Sequence, residues 1–320
     1  MASMSPRIPD SGVLRTPEQR FAALPDFPFE PRYHTLAGGE LRMAYIDEGP
    51  RDAPVVLMLH GEPSWSFAYR HVIAAVAAAG YRAVAPDHIG FGRSDKLPAR
   101  SDYSYARFVG WMTDFVRALD LQDIVMLCQD WGGPIGLSTL AAEPGRFSAV
   151  VTANTLLPNC EEPPRGIAGW PGELIENWAA MTAAAEDLPV AEIVNGVCMN
   201  GLSDEVKMAY DAPFPDGSYK AAVLEFPSLI PIRESMPGCA ENREVWTFLE
   251  NWDKPFVTAF SDSDPSTAPW AAVFKKRIPG AANDWHTAIV GAGHFVQEEQ
   301  GAALAEVVLV VRQSLGNCAN

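Results

Sequence analysis

Five apolar residues stand in an unbroken row at Val55–Leu59. Successive side chains of a strand point to opposite faces, so a strand of this kind must be covered on both sides. A parallel sheet between two layers of helices supplies that cover. The chain repeats the demand. Residues 67–79 have helical apolar spacing and stop at Gly80, a good residue just past a helix end. A strand at 81–85, a helix at 105–119, a strand at 124–127, a helix at 133–142 and a strand at 149–152 follow. This alternation predicts an α/β fold with a mostly parallel central sheet and helices on both faces.

Upstream, residues 34–36 and 41–46 flank Gly38-Gly39 and read as a hairpin. Residues 1–31, rich in proline and polar side chains, read as a surface arm. The alternation fails from 158 to 236, where no buried strand is evident. Helical pieces at 174–184 and 191–199 are separated there by Pro- and Gly-containing turns. The segment reads as an inserted helical cap. Strands return at 255–260 and 287–290, and a last helix spans 296–315. The expected division is a core of residues 1–157 and 237–320 with a cap of residues 158–236.

The chemistry centres on Cys128-Gln129-Asp130-Trp131-Gly132-Gly133, between a strand and a helix. Small residues let such a turn tighten and let neighbouring backbone approach. The turn lifts one side chain to the carboxyl end of the sheet, where open α/β sheets bind ligands. That side chain is Asp130. An Asp after a strand can also cap a helix. A serine there would need a base before it could attack a carbonyl. A carboxylate, with an ordinary pKa of about 3.9, is already charged at neutral pH and can displace a leaving group from saturated carbon.

His294, in Gly291-Ala292-Gly293-His294-Phe295, is the last histidine of the chain. The order nucleophile, acid, histidine makes it the expected general base. The acid that orients it should follow the preceding strand, within Ser261-Asp262-Ser263-Asp264-Pro265. Asp264 is favoured, with Asp262 the alternative as a turn-forming residue. Backbone N–H groups of Glu62, in His60-Gly61-Glu62-Pro63, and of Trp131 are expected to form an oxyanion hole. The Glu62 side chain is expected to brace the loop or a water. Halide leaving groups suit indole N–H donors, which are apolar around the donor atom. Trp131 is one candidate. Trp178, on the 174–184 helix, is preferred over Trp170 as the second.

At these residues the chain resembles the haloalkane dehalogenases of the α/β-hydrolase superfamily. The resemblance is carried by His60-Gly61-Glu62-Pro63-Ser64-Trp65, Phe91-Gly92-Arg93-Ser94-Asp95, Gln129-Asp130-Trp131-Gly132-Gly133, Ala212-Pro213-Phe214-Pro215 and Gly293-His294-Phe295. It extends over residues 14–315 and is strongest to the subfamily with an Asp-His-Asp triad and a tryptophan pair. It implies Asp130 as nucleophile, His294 as base, Asp264 as acid, and Trp131 with Trp178 around the halide. It also implies that Phe226, Pro227 and Ile230 line the pocket. Pro134 stands where some relatives carry an aromatic residue and bears on substrate size.

Epoxide hydrolases share the Asp nucleophile and His base, and Tyr210 or Tyr219 would then be the acid. Fluoroacetate dehalogenases would need arginines for a substrate carboxylate, whereas Trp131 follows the nucleophile here. A ligand receptor on the same fold would have no use for an intact triad.

The expected partners are a small apolar halogenated substrate, halide and water, with no cofactor and no metal. The net charge of −16 disfavours nucleic acid and anionic membranes. A monomer or weak homodimer is expected. The cysteines are Cys128, Cys160, Cys198, Cys239 and Cys318. Their odd number and wide spacing argue against a disulfide framework or a zinc site and fit a cytoplasmic, reducing setting.

Overall fold

The computed structural model describes residues 12–39, 41–161 and 172–317. Its sheet has eight strands: β1 (Arg32–Thr35), β2 (Arg42–Glu48), β3 (Val55–Leu59), β4 (Arg82–Pro86), β5 (Ile124–Asp130), β6 (Phe147–Thr155), β7 (Phe256–Ser261) and β8 (Thr287–Ile289). Their spatial order is β1-β2-β4-β3-β5-β6-β7-β8. The hairpin β1–β2 joins β4 antiparallel, and every later pairing is parallel. All five residues of β3 and the first six of β5 are buried, as their apolar runs demand.

Among the described residues the helices are α1 (Arg70–Ala78), α2 (Tyr105–Ala118), α3 (Gly132–Ala142), α4 (Gly172–Ala184), α5 (Val190–Val197), α6 (Asp204–Asp211), α7 (Ala221–Glu225), α8 (Cys239–Leu249), α9 (Trp270–Arg277), α10 (Val296–Glu299) and α11 (Gly301–Asn317). On the sheet, α1 packs with α11, and α3 packs with α2 and α8. Helices α4 to α7 fall between β6 and β7, where strand patterning is lost. No described helix is long and apolar enough to cross a membrane.

Three details depart from the sequence reading. The final helix is two, because the chain turns at Gln300 and Gly301, where glycine packs against the Cβ of His71. The N-terminal arm is anchored. Phe21 and Phe27 are buried against Trp65, and Thr16 Oγ1 donates to the Pro213 carbonyl at 2.6 Å. Finally, Cys160 and Cys239 form a disulfide, which corrects the expectation of no such bond. They lie 79 residues apart, yet the fold brings the chain leaving β6 beside the start of α8, with a Cα–Cα distance of 5.5 Å. Spacing along the chain carries no sign of that proximity. Cys128 and Cys198 are free, and Cys318 lies outside the described residues.

Candidate active site

Strand β5 ends on Asp130, which holds φ +50°. An ordinary L-residue enters this left-handed region only where its surroundings impose it. Here Thr155 Oγ1, at the end of β6, donates to the Asp130 carbonyl at 2.5 Å. The next residues must be small. A Cβ on Gly132 would strike the Leu59 carbonyl at the end of β3. The result is a raised Asp130 side chain that does not cap α3, whose N-cap position is Trp131.

The Asp130 carboxylate is held from two sides. Oδ1 accepts the Glu62 backbone N–H at 2.8 Å, and Oδ2 lies 3.4 Å from His294 Nε2. On the opposite edge of the imidazole, His294 Nδ1 lies 3.2 Å from Asp264 Oδ1. Asp264 is buried and accepts from Ser266 N at 3.0 Å, Ser266 Oγ at 2.7 Å and Thr267 N and Oγ1. Burial would push its pKa up, but the charge and hydrogen bond of His294 and those donors hold it well below the carboxylate range. Asp262 instead accepts the Gly291 N–H at 3.1 Å, a loop contact. The structure therefore brings together Asp130, His294 and Asp264.

Burial alone would lower the His294 pKa. The charge of Asp264 and the hydrogen bonds to Asp130 and Asp264 outweigh it and raise the pKa to about 10. The two flanking carboxylates thus favour the protonated imidazole.

The loop supplying the Glu62 N–H is itself braced. His60 Nε2 accepts the His88 N–H at 2.9 Å, which puts the His60 proton on Nδ1, facing the Gly61 carbonyl at 2.9 Å. His88 Nε2 donates in return to the His60 carbonyl at 3.0 Å. Burial depresses the His60 pKa to about 4, so this ring stays neutral. Gly61 leaves the space that Asp130 occupies, since a Cβ there would overlap the carboxylate.

The Glu62 side chain is buried, and burial together with the neighbouring Asp130 charge raises its pKa well above normal. The Trp178 side chain lies close enough to act against that rise. That contact brings α4 to the site and separates Trp178 from Trp170, which lies outside the described residues. The Trp131 ring sits 4.8 Å from Phe226 and 5.9 Å from Tyr105. Phe226, Pro227 and Ile230 belong to the 3-10 turn Phe226–Leu229 and its end, against which α4 packs. Phe226 and Pro227 are buried, as are Ile230 and Pro134. Tyr210 is committed elsewhere. Its hydroxyl donates to Glu298 at 2.6 Å, and Arg70 holds the same carboxylate.

Sequence reasoning missed two supports of His294. Asn154 Nδ2 donates to the carbonyls of Gly293 and His294, each at 2.9 Å. Gln129 Nε2 donates to the His294 carbonyl at 3.2 Å and lies 3.1 Å from its Nε2. Gln129 adjoins the nucleophile turn, which was a usable hint. Asn154, at the end of β6, had none. Chemically, the arrangement offers a fixed carboxylate, followed by the Trp131 ring packed on Phe226, with a histidine-carboxylate pair behind it.

The sequence profile of the alpha/beta hydrolase fold matches residues 54–185. A haloalkane dehalogenase of Psychrobacter cryohalolentis is 45% identical over 300 residues, covering 93% of this chain and 97% of its own. Another, of Mycolicibacterium paratuberculosis, is 41% identical and spans 95% of this chain and 99% of its own. The tetrameric haloalkane dehalogenase of Paraglaciecola agarilytica superposes with a TM-score of 0.85 at 38% identity, covering 93% of this chain and 98% of that one. The chain belongs to the haloalkane dehalogenases, hydrolases of the α/β-hydrolase superfamily that cleave carbon–halogen bonds.

Proposed function

We propose that Asp130 is the nucleophile, His294 the general base and Asp264 the acid that orients it. The observation carrying this reading is the Asp130 carboxylate, set between the Glu62 N–H and His294 Nε2. Asp130 attacks the halogen-bearing carbon. The carbon–halogen bond breaks, halide leaves with the bonding pair, and an alkyl ester of Asp130 forms. The backbone N–H groups of Glu62 and Trp131 then serve as the oxyanion hole, while His294 takes a proton from water as it attacks the ester carbonyl carbon. The products are a primary alcohol, halide and a proton.

The timing follows from charge. Before alkylation, the carboxylates of Asp264 and Asp130 favour the protonated ring. Ester formation removes the Asp130 charge, one of the causes that hold the proton on the ring. The imidazole pKa then falls, which favours general base catalysis.

Trp131 and Trp178 are assigned to the halide. The Trp178 contact with Glu62 supports its place there. Phe226, Pro227, Ile230 and Pro134 are assigned to the pocket wall. Residues 158–236 are the cap, resting on a core of 1–157 and 237–320. The assembly we propose is a monomer or weak homodimer, although the Paraglaciecola relative was solved as a tetramer.

The test is halide release from 1-bromobutane and 1,2-dibromoethane, with styrene oxide in parallel. Bromide and proton release that disappears in Asp130→Asn is expected. Diol from the epoxide without bromide release would overturn the assignment.

A further inference from the structure

The loop bearing His294 is held by two different parts of the chain. Its carbonyls face the sheet. Ser261 Oγ donates to the Gly293 carbonyl at 2.7 Å, and Asn154 reaches both carbonyls. Its amides face the other way. The His294 N–H donates to the Val197 carbonyl at 2.9 Å, at the last residue of α5. The Gly293 N–H donates to Glu299 Oε2 at 2.7 Å.

That second carboxylate is shared. Glu299 Oε2 also accepts the Met199 N–H at 3.0 Å. Its Oε1 accepts Asn200 N at 2.7 Å and Asn200 Nδ2 at 2.9 Å. One side chain thus draws four N–H donors onto two oxygens, one donor from the histidine loop and three from the segment after α5. The approach is close enough that a Cβ on Gly293 would strike the Val197 carbonyl.

We propose that Glu299 is a positioning residue for ester hydrolysis, clasping the end of α5 to the His294 loop. Asp130 is carried by β5 and held at Oδ1 by the Glu62 N–H, while the loop that Glu299 clasps meets it only at Oδ2, through His294 Nε2. Loosening the clasp therefore leaves carbon–halogen cleavage in place and misplaces the base. The inference rests on the assignment of Asp130 and His294 above.

Glu299→Gln keeps the size of the side chain but turns an amide NH2 toward N–H groups, which cannot bond it. Rapid-mixing kinetics with 1-bromobutane should show a bromide burst close to that of the parent protein. Steady-state turnover should fall roughly ten- to a hundredfold, as displaced catalytic groups do. Intact-mass spectrometry should find alkylated protein during turnover. Asn200→Ala, which removes one donor to Oε1 together with its 3.2 Å bond to the Gly291 carbonyl on the histidine loop, should shift the same ratio in the same direction by less, and it decides the matter if Glu299→Gln does not fold.

Unchanged turnover, or burst and turnover falling together in folded protein, would overturn the proposal. Absence of bromide release from the parent protein would instead overturn the assignment beneath it.

Discussion

Asp130 and Gly61 show how closely single residues are fitted. A non-glycine residue at positive φ costs roughly 1–3 kcal/mol and persists only when its surroundings over-determine it. Asp130 is fixed by Thr155 below, the Glu62 N–H beside it and glycines where other backbone passes. His294 is fixed by carboxylates on both edges. Replacing it by Phe removes the base but leaves the attacking carboxylate. His294→Phe is expected to release one equivalent of bromide and then stop, with the alkyl group retained on the protein. A protein mass unchanged after prolonged incubation with 1-bromobutane would contradict this.

At the scale of elements, the site depends on α4 descending to the Glu62 loop. The Trp178 side chain meets the Glu62 carboxyl, whose pKa burial and the Asp130 charge push up, which disfavours a full negative charge there. An anion arriving beside it meets a donor already desolvated. Trp178→Phe is expected to weaken bromide binding at least tenfold, a loss of about 1.4 kcal/mol. Trp170→Phe is expected to change it little. Bromide quenching of tryptophan fluorescence would measure both, and superimposable quenching curves would rule out the distinction. What the sequence disclosed at this scale follows from local physics. Uninterrupted apolar runs announced β3 and β5, and the glycine-rich turn announced Asp130. Helix α6 went unnoticed although Ser203 caps it, its side chain accepting the Val206 N–H. Helices α8 and α9 were also passed over, being mixed in pattern. The Glu299 clasp joins residues a hundred positions apart, and no periodicity encodes a contact of that kind.

Across the whole molecule, long-range ties hold the helical segment to the sheet. Arg20 Nε donates to the Ala212 carbonyl at 2.8 Å, and Tyr210 joins the buried Arg70–Glu298 pair. The Cys160–Cys239 bond is the covalent tie. Closing a loop of this length limits the unfolded chain, and the entropic model places the benefit at about 4 kcal/mol. Cys160→Ser and Cys239→Ser should each lower the melting temperature, and reductant should lower that of the parent protein but not theirs. Equal melting temperatures with and without reductant would show that the bond contributes nothing.

The same bond changes the connectivity of the molecule. Without it, a peptide cleavage in the helical segment would separate β1–β6 from β7 and β8, and the sheet would be assembled from two chains. With it, the polypeptide contains a covalent circuit that begins and ends where the segment leaves and rejoins the core. A break anywhere on that circuit opens it but severs nothing. The sheet and its triad would still belong to one molecule, with Asp130 on one side of the break and Asp264 and His294 on the other.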